Sequence, residues 1–241
     1  MKSAEVPLRP SLFEKLTPIL LVLSIGLAFI VGVLWQKVAN LEKGVGTGNT
    51  AAANPTAAPG VDINSAGGAG HFPVQGKSDA KVTLIEFADF RCPYCAQFFN
   101  QTEPQIIQNY VDTGKVKYAF RDFAFLGPAS VTAANAAECA NDQGKFWEFY
   151  NYLYKNQPSE SDTSMYNTNT LSKAAVSLGM DAAKFKTCLD GKVDDAKVQQ
   201  DLADGQKAGV SGTPAFFING TFINGAEPYS VFQKTIDAAL K

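Results

Sequence analysis

The tetrad Cys92-Pro93-Tyr94-Cys95 follows, after four residues, the β-branched and apolar run Val82-Thr83-Leu84-Ile85-Glu86-Phe87. It opens a segment in which Phe98, Phe99, Ile106, Ile107 and Tyr110 recur at helical spacing. The order strand, dithiol, helix restricts the fold strongly. It puts the first cysteine at a helix N-terminus, where unpaired backbone N–H groups and the helix dipole stabilise a thiolate, the nucleophilic form in disulfide exchange. The periodicity predicts a helix over 93–110, kinked at Pro104 because proline removes a backbone hydrogen bond. Gly114 ends it, and 116–120 predicts a second strand. Two strands joined through a helix open a βαβ unit, which connects right-handedly into a parallel sheet.

Residues 128–209 then read as almost wholly helical, with helices expected over 131–140, 146–154, 170–178, around 182–189, and over 196–207. The sheet resumes at Ala215-Phe216-Phe217-Ile218. Asn219-Gly220 is a two-residue hairpin turn, and Thr221-Phe222-Ile223 the returning strand. A last helix over 229–240 puts Phe232, Ile236, Ala239 and Leu240 on one face. The expected architecture is α/β: β, α, β, a helical insertion at about 128–209, two strands, and a closing helix over 72–241. Phe146, Trp147, Phe149 and Tyr150 read as the core of the insertion rather than as a peptide-binding surface.

The first 70 of the 241 residues differ in kind from this domain. No charged residue occurs from Leu16 to Gln36, long enough as a helix to span about 30 Å of hydrocarbon. A cleaved signal peptide would have a shorter apolar core ending in a small-x-small site, whereas Leu34-Trp35-Gln36-Lys37 is a poor cleavage context. The expectation is therefore a transmembrane signal anchor at 16–36, with Trp35 suited to the membrane interface. Lys2, Arg9 and Lys15 precede the span and Lys37 and Lys43 follow it, which places residues 1–15 on the cytoplasmic side. Residues 37–71 are a flexible linker, Gly44 to Gly70 being rich in Gly, Ala, Asn and Pro. A net charge of −2 offers no basic stripe for phosphates, so nucleic acid is not an expected partner.

About 170 residues bury a core without staples, so four cysteines need another reason. Cys-x-x-Cys alone serves either redox chemistry or metal binding. Zinc would need Cys139 and Cys188 as the other half of its site. These stand 49 residues apart without knuckle spacing, and His71, in the linker, is the sole histidine, so no metal site is expected.

Three stretches together resemble the thioredoxin superfamily, and more closely its DsbA-like thiol:disulfide oxidoreductases. They are Glu86-Phe87 four residues before the Cys-Pro-Tyr-Cys tetrad, Ala137-Glu138-Cys139-Ala140 leading to Gln143-Gly144-Lys145-Phe146-Trp147, and Gly209-Val210-Ser211-Gly212-Thr213-Pro214 running into Ala215. The resemblance, over roughly 74–240, implies a thioredoxin-like fold in which Cys92 is the exposed attacking cysteine and Cys95 resolves the mixed disulfide. Pro214 matches a cis-proline facing the pair, and Thr213 before it would offer backbone groups to an extended substrate alongside Pro93 and Tyr94. Glu86 matches a buried acid that exchanges protons with Cys95. Its alternation with Val82 and Leu84 agrees with an inward direction, where burial raises a carboxyl pKa. Cys139 and Cys188 resemble an additional pair, read as a structural disulfide, with two buried thiols or a second redox relay as the other readings.

The implied activity is oxidation of dithiols in cysteine-containing protein substrates by a Cys92-Cys95 disulfide, in an oxidising compartment outside the cytoplasm. A membrane redox partner would reoxidise the pair, and no bound cofactor is required. Disulfide isomerase or reductase activity in the same compartment is the alternative, because the same tetrad and the Thr-Pro pair occur in such relatives. A redox-inert binding or chaperone module is the reading from another class, against which the intact dithiol stands.

Overall fold

The computed structural model describes residues 73–241. The expected span at 16–36, its flank 1–15 and the linker 37–71 lie outside the described residues. Among the described residues no helix is long and apolar enough to cross a membrane.

In chain order the elements are β1 (Val74–Gln75), β2 (Val82–Ala88), α1 (Pro93–Gln101), α2 (Glu103–Ile106), a π-helical turn at Ile107–Val111, and β3 (Val116–Asp122). The insertion follows as α3 (Pro128–Asn141), α4 (Phe146–Lys155), α5 (Thr168–Ser177), α6 (Ala182–Gly191) and α7 (Asp195–Lys207). Strands β4 (Ala215–Ile218) and β5 (Thr221–Asn224) and helix α8 (Tyr229–Ala239) complete the chain. The five strands are ordered β1-β3-β2-β4-β5. β2 and β3 run parallel, as the βαβ reading requires, and the other pairs are antiparallel. β1 was not legible: two residues on a sheet edge carry no periodicity.

The helix expected over 93–110 is three pieces. Thr102 leaves ideal helical geometry at φ −108°, Pro104 occupies the first turn of α2, and the ladder then widens into the π turn. The expected kink is thus a break, and it falls two residues before the proline.

The two faces of the sheet follow from strand alternation. Val82, Leu84, Val116, Tyr118, Phe216 and Ile218 pack beneath Phe98, Ile106, Phe232 and Ile236 of the covering helices. Ile85, Phe87, Ala119, Ala215 and Phe217 face the other way, towards Phe123, Ala208 and Val210. On that side Gly205 of α7 lies so close that a Cβ there would sit 2.7 Å from the Phe123 ring. Arg121 of β3 is 1% exposed and pairs with Asp201 at 2.8 Å and Asp204 at 2.6 Å, tying α7 to the sheet.

The insertion packs Phe146, Phe149, Tyr150 and Leu153 against Leu171, Phe185 and the alanines of α3, in a core continuous with Phe90, Phe99 and Phe120 beside the dithiol. Its helix starts are capped where Asn167 accepts from Thr170 N–H and Asp181 from Lys184 N–H. Cys139 of α3 and Cys188 of α6 are joined by a disulfide, Cα to Cα 5.9 Å.

Candidate active site

Cys92 is the N-cap of α1 and Pro93 its first residue, where the missing proline N–H is no loss. The Cys92 side chain does not cap the helix, so its sulfur stays available for chemistry. It is not exposed, contrary to what the resemblance implies: the residue is 4% accessible. The loop before β4 covers it, and as a thiol it donates to the Thr213 carbonyl at 3.3 Å. The Thr213-Pro214 bond is cis. Tyr94, 62% exposed, and Pro93 flank the sulfur on the solvent side.

The two thiols are electrostatically unequal. Cys92 is lowered to about 6, first by a hydrogen bond from the Cys95 thiol, against which burial acts. The Thr213 side chain and the N–H groups of Cys95 and Tyr94 add to the lowering. The Thr213 hydroxyl has no partner in the thiol state, which leaves it free to donate to the thiolate. Cys95 is fully buried and raised well above the ordinary thiol range, by burial first, then by Cys92 and the nearby Glu86 carboxyl.

Glu86 on β2 points inward, fully buried, with its pKa raised well above a normal carboxyl by burial first and by the negative charge of Glu103 second. Its Oε2 accepts from the Tyr118 hydroxyl, while its Oε1 has no hydrogen-bond partner. Tyr118 sits on β3 opposite Leu84, diagonal to Glu86, within reach of a long side chain.

Three residues that sequence reasoning did not single out hold the dithiol loop. The Asp89 carboxylate accepts from the N–H groups of Arg91, Phe125 and Leu126. Arg91 donates to the carbonyls of Leu126 and Glu160. Gln157, just after α4, donates to the carbonyls of Phe90 at 2.8 Å and Cys92 at 3.1 Å. Asp89, in a short turn rich in polar residues, was a readable loop anchor, but nothing local marks Gln157.

The structure thus brings Cys92, Cys95, Glu86, Thr213 and Pro214 together with Pro93 and Tyr94 at the rim. Cys139 and Cys188 of the insertion are bonded to each other. Their sulfurs and an Asp194 oxygen lie within 4.8 Å of one another, but the disulfide leaves no thiolate there to bind a metal. A thiol poised as a thiolate beside a second, buried thiol exchanges disulfides: the first sulfur bonds to a partner cysteine and the second displaces it.

Comparison with known proteins agrees with this chemistry. The family model described as thioredoxin matches residues 69–238. A probable disulfide bond formation protein D of Bacillus cereus is 36% identical over 171 residues, covering 69% of this chain and 77% of that one. The Bacillus subtilis disulfide bond formation protein D is 32% identical, with 70% and 77% covered. The crystal structure of oxidised Bacillus subtilis BdbD superposes with a TM-score of 0.67 at 31% identity, covering 70% of this chain and 93% of that one. With the fold, the dithiol and these relatives in agreement, the chain belongs to the thioredoxin family and is a DsbA-like protein thiol:disulfide oxidoreductase.

Proposed function

We propose that this oxidoreductase works as an oxidase, anchored in the cell membrane by residues 16–36 with residues 1–15 in the cytoplasm. Residues 37–71 tether the domain 72–241 outside it, in the periplasm or at the cell surface. Its substrates are dithiols of secreted or envelope proteins. A substrate thiolate bonds to Cys92 Sγ, the Cys92-Cys95 bond breaks, and Cys95 leaves with the electron pair and takes a proton. The second substrate thiolate then attacks the substrate sulfur of the mixed disulfide and Cys92 departs as a thiolate. The substrate has lost two electrons and the enzyme holds a dithiol, which a membrane redox partner returns to the disulfide.

The observation that supports this direction is the Cys92 thiolate, favoured by Cys95, Thr213 and the start of α1 down to about pH 6. Whatever stabilises the reduced form makes the disulfide more oxidising. The name of the Bacillus relatives, disulfide bond formation proteins, agrees. The uncharged run 16–36 supports the anchor.

The test is the reduction potential of the Cys92-Cys95 couple, measured on the full chain with Cys139 and Cys188 mapped as bridged. Thioredoxin lies near about −270 mV and DsbA near about −120 mV. A value well above that of thioredoxin is expected; one below about −250 mV would overturn the oxidase reading in favour of a reductase.

A further inference from the structure

A line of buried polar groups runs from Glu86, whose carboxyl acts electrostatically on Cys95, to Glu103 at the α1–α2 break. Tyr118 of β3 donates to Glu86 Oε2, the Tyr118 and Tyr150 hydroxyls lie 3.4 Å apart, and Tyr150 of α4 donates to Glu103 Oε2 at 2.7 Å. Glu86, Tyr118 and Tyr150 are at most 1% exposed, walled by Phe99, Phe120, Phe146 and Trp147. Glu103 is 7% exposed and lies at the α1–α2 break, between exposed Gln101 and Pro104. Thiol exchange alone does not require the last three members. Two phenols and a second acid buried without purpose would be costly, because unionised polar groups in an apolar wall must satisfy one another.

We propose that Glu86, Tyr118, Tyr150 and Glu103 form a relay that carries the proton between the buried dithiol and solvent, with Glu103 as its outer end. The proposal rests on disulfide exchange at Cys92 and Cys95 and adds a route for its proton.

The hydrogen positions make the relay workable. Each phenol donates outward to its own acid, so the contact between the two phenols can take up one further hydrogen. With one proton added, either Glu86 is protonated and the bonds run from Glu86 through Tyr118 and Tyr150 to an ionised Glu103, or the same chain runs in mirror image. A shift of each hydrogen by one bond exchanges the two states and leaves both phenols neutral. The two carboxylates also repel each other, which keeps one proton on the pair, and burial pushes Glu103 up to about 7, near the pH of the surroundings it would sample. Cys92, Cys95 and Tyr154 are the other titratable groups facing Glu86 from the dithiol loop, α1 and α4.

The balance is complete when Cys95 is released. Cys95 Sγ keeps the electron pair of the broken bond and takes the proton of Glu86. Glu86 takes one from Tyr118, Tyr118 from Tyr150, Tyr150 from Glu103, and Glu103 from water. Glu86 receives that proton at Oε2, the oxygen held by Tyr118, and a turn of the carboxyl carries it to the place of the unpartnered Oε1 for the next transfer to Cys95.

The test mixes the oxidised full chain with an aromatic monothiol at a pH where that thiol is fully ionised, so each bond cleaved draws one proton from solvent. Cleavage is followed by acid quenching and mass analysis, and proton uptake by an indicator dye in the same mixing. In the natural protein uptake keeps pace with cleavage. In Tyr150→Phe and in Glu103→Gln, which keeps the shape and the acceptor, uptake lags cleavage by roughly tenfold or more. Tyr154→Phe, which alters the same aromatic wall outside the relay, keeps the two together. Uptake that stays in step with cleavage in both relay variants, or that lags equally in Tyr154→Phe, overturns the relay and leaves the exchange chemistry standing. Absence of cleavage in the natural protein overturns both.

Discussion

Cys92 Sγ lies 3.3 Å from the carbonyl oxygen of Thr213, a residue 121 positions further along the chain. An extended substrate backbone docked at Thr213, as the family resemblance implies, would call on the same acceptor as the thiol. A substrate strand that pairs with Thr213 takes the acceptor that favours the thiol, and the Thr213 hydroxyl remains to favour the thiolate. Docking at this loop would then be coupled to ionisation of the nucleophile.

The thiolate can be read directly by its ultraviolet absorbance in the reduced protein. A step centred at about pH 6 is expected, and Cys92→Ala should abolish it. In Cys95→Ala the largest lowering influence is gone, so the step should move to higher pH. The same variant has no resolving sulfur and should accumulate mixed disulfides through Cys92. A titration unchanged by Cys95→Ala would refute the Cys95 thiol as the main cause of the lowered value.

The bridge in the insertion closes a loop of 49 residues, worth up to about 4 kcal/mol in the chain-entropy picture and usually about 2 to 4 when measured. The double variant Cys139→Ala, Cys188→Ala should lose stability in that range in denaturant unfolding. The potential of the Cys92-Cys95 couple should barely move, since the bridge joins α3 to α6 and leaves both sulfurs of the dithiol free. A large shift of potential would instead make the second pair part of the electron path.

Buried acids with raised values give the folded protein an uncommon pH dependence. Glu103 and Glu138 are pushed up to about 7 and Asp201 to about 6, in each case by burial first. The native state holds protons that the unfolded chain has already released, so stability falls as pH rises. The contribution of Glu103 is fully present below its ordinary value of 4.5 and is lost as the pH rises through about 7. Glu103→Gln should therefore flatten the decline between these limits in unfolding curves. An identical slope in the variant would mean that Glu103 is already ionised in the fold.

Much of this site was readable because its chemistry is local. The spacing of Cys92 and Cys95, their place between strand and helix, and the inward parity of Glu86 all follow from the periods of 3.6 and 2. The limit of that reading is visible at Cys92. An N-cap residue looks exposed when only its own helix is considered, and the cover comes from a loop remote in sequence. Glu103 is more instructive. It shares a stripe with Cys95, Phe98, Phe99, Thr102 and Ile106, all buried, so its inward direction was available. Its partner Tyr150 is 47 residues away, inside an insertion that looked self-contained, and that contact is tertiary. The π turn after Ile106 carries no compositional mark at all, because the widened ladder answers to packing rather than propensity.

The bonds from Gln157 to the carbonyls of Phe90 and Cys92 bear on how such a chain can be remodelled. By its place in the sequence, the helical block between β3 and β4 resembles a detachable ornament on a smaller redox fold. Instead, Gln157 just beyond its second helix grips the backbone of the nucleophile, while the loop that follows the block covers the same residue from the other side. Grafting, shortening or exchanging that block would re-set the reactivity of the cysteine along with the shape of the surface around it. In this protein the backbone of the nucleophile and the helical block are held as one unit.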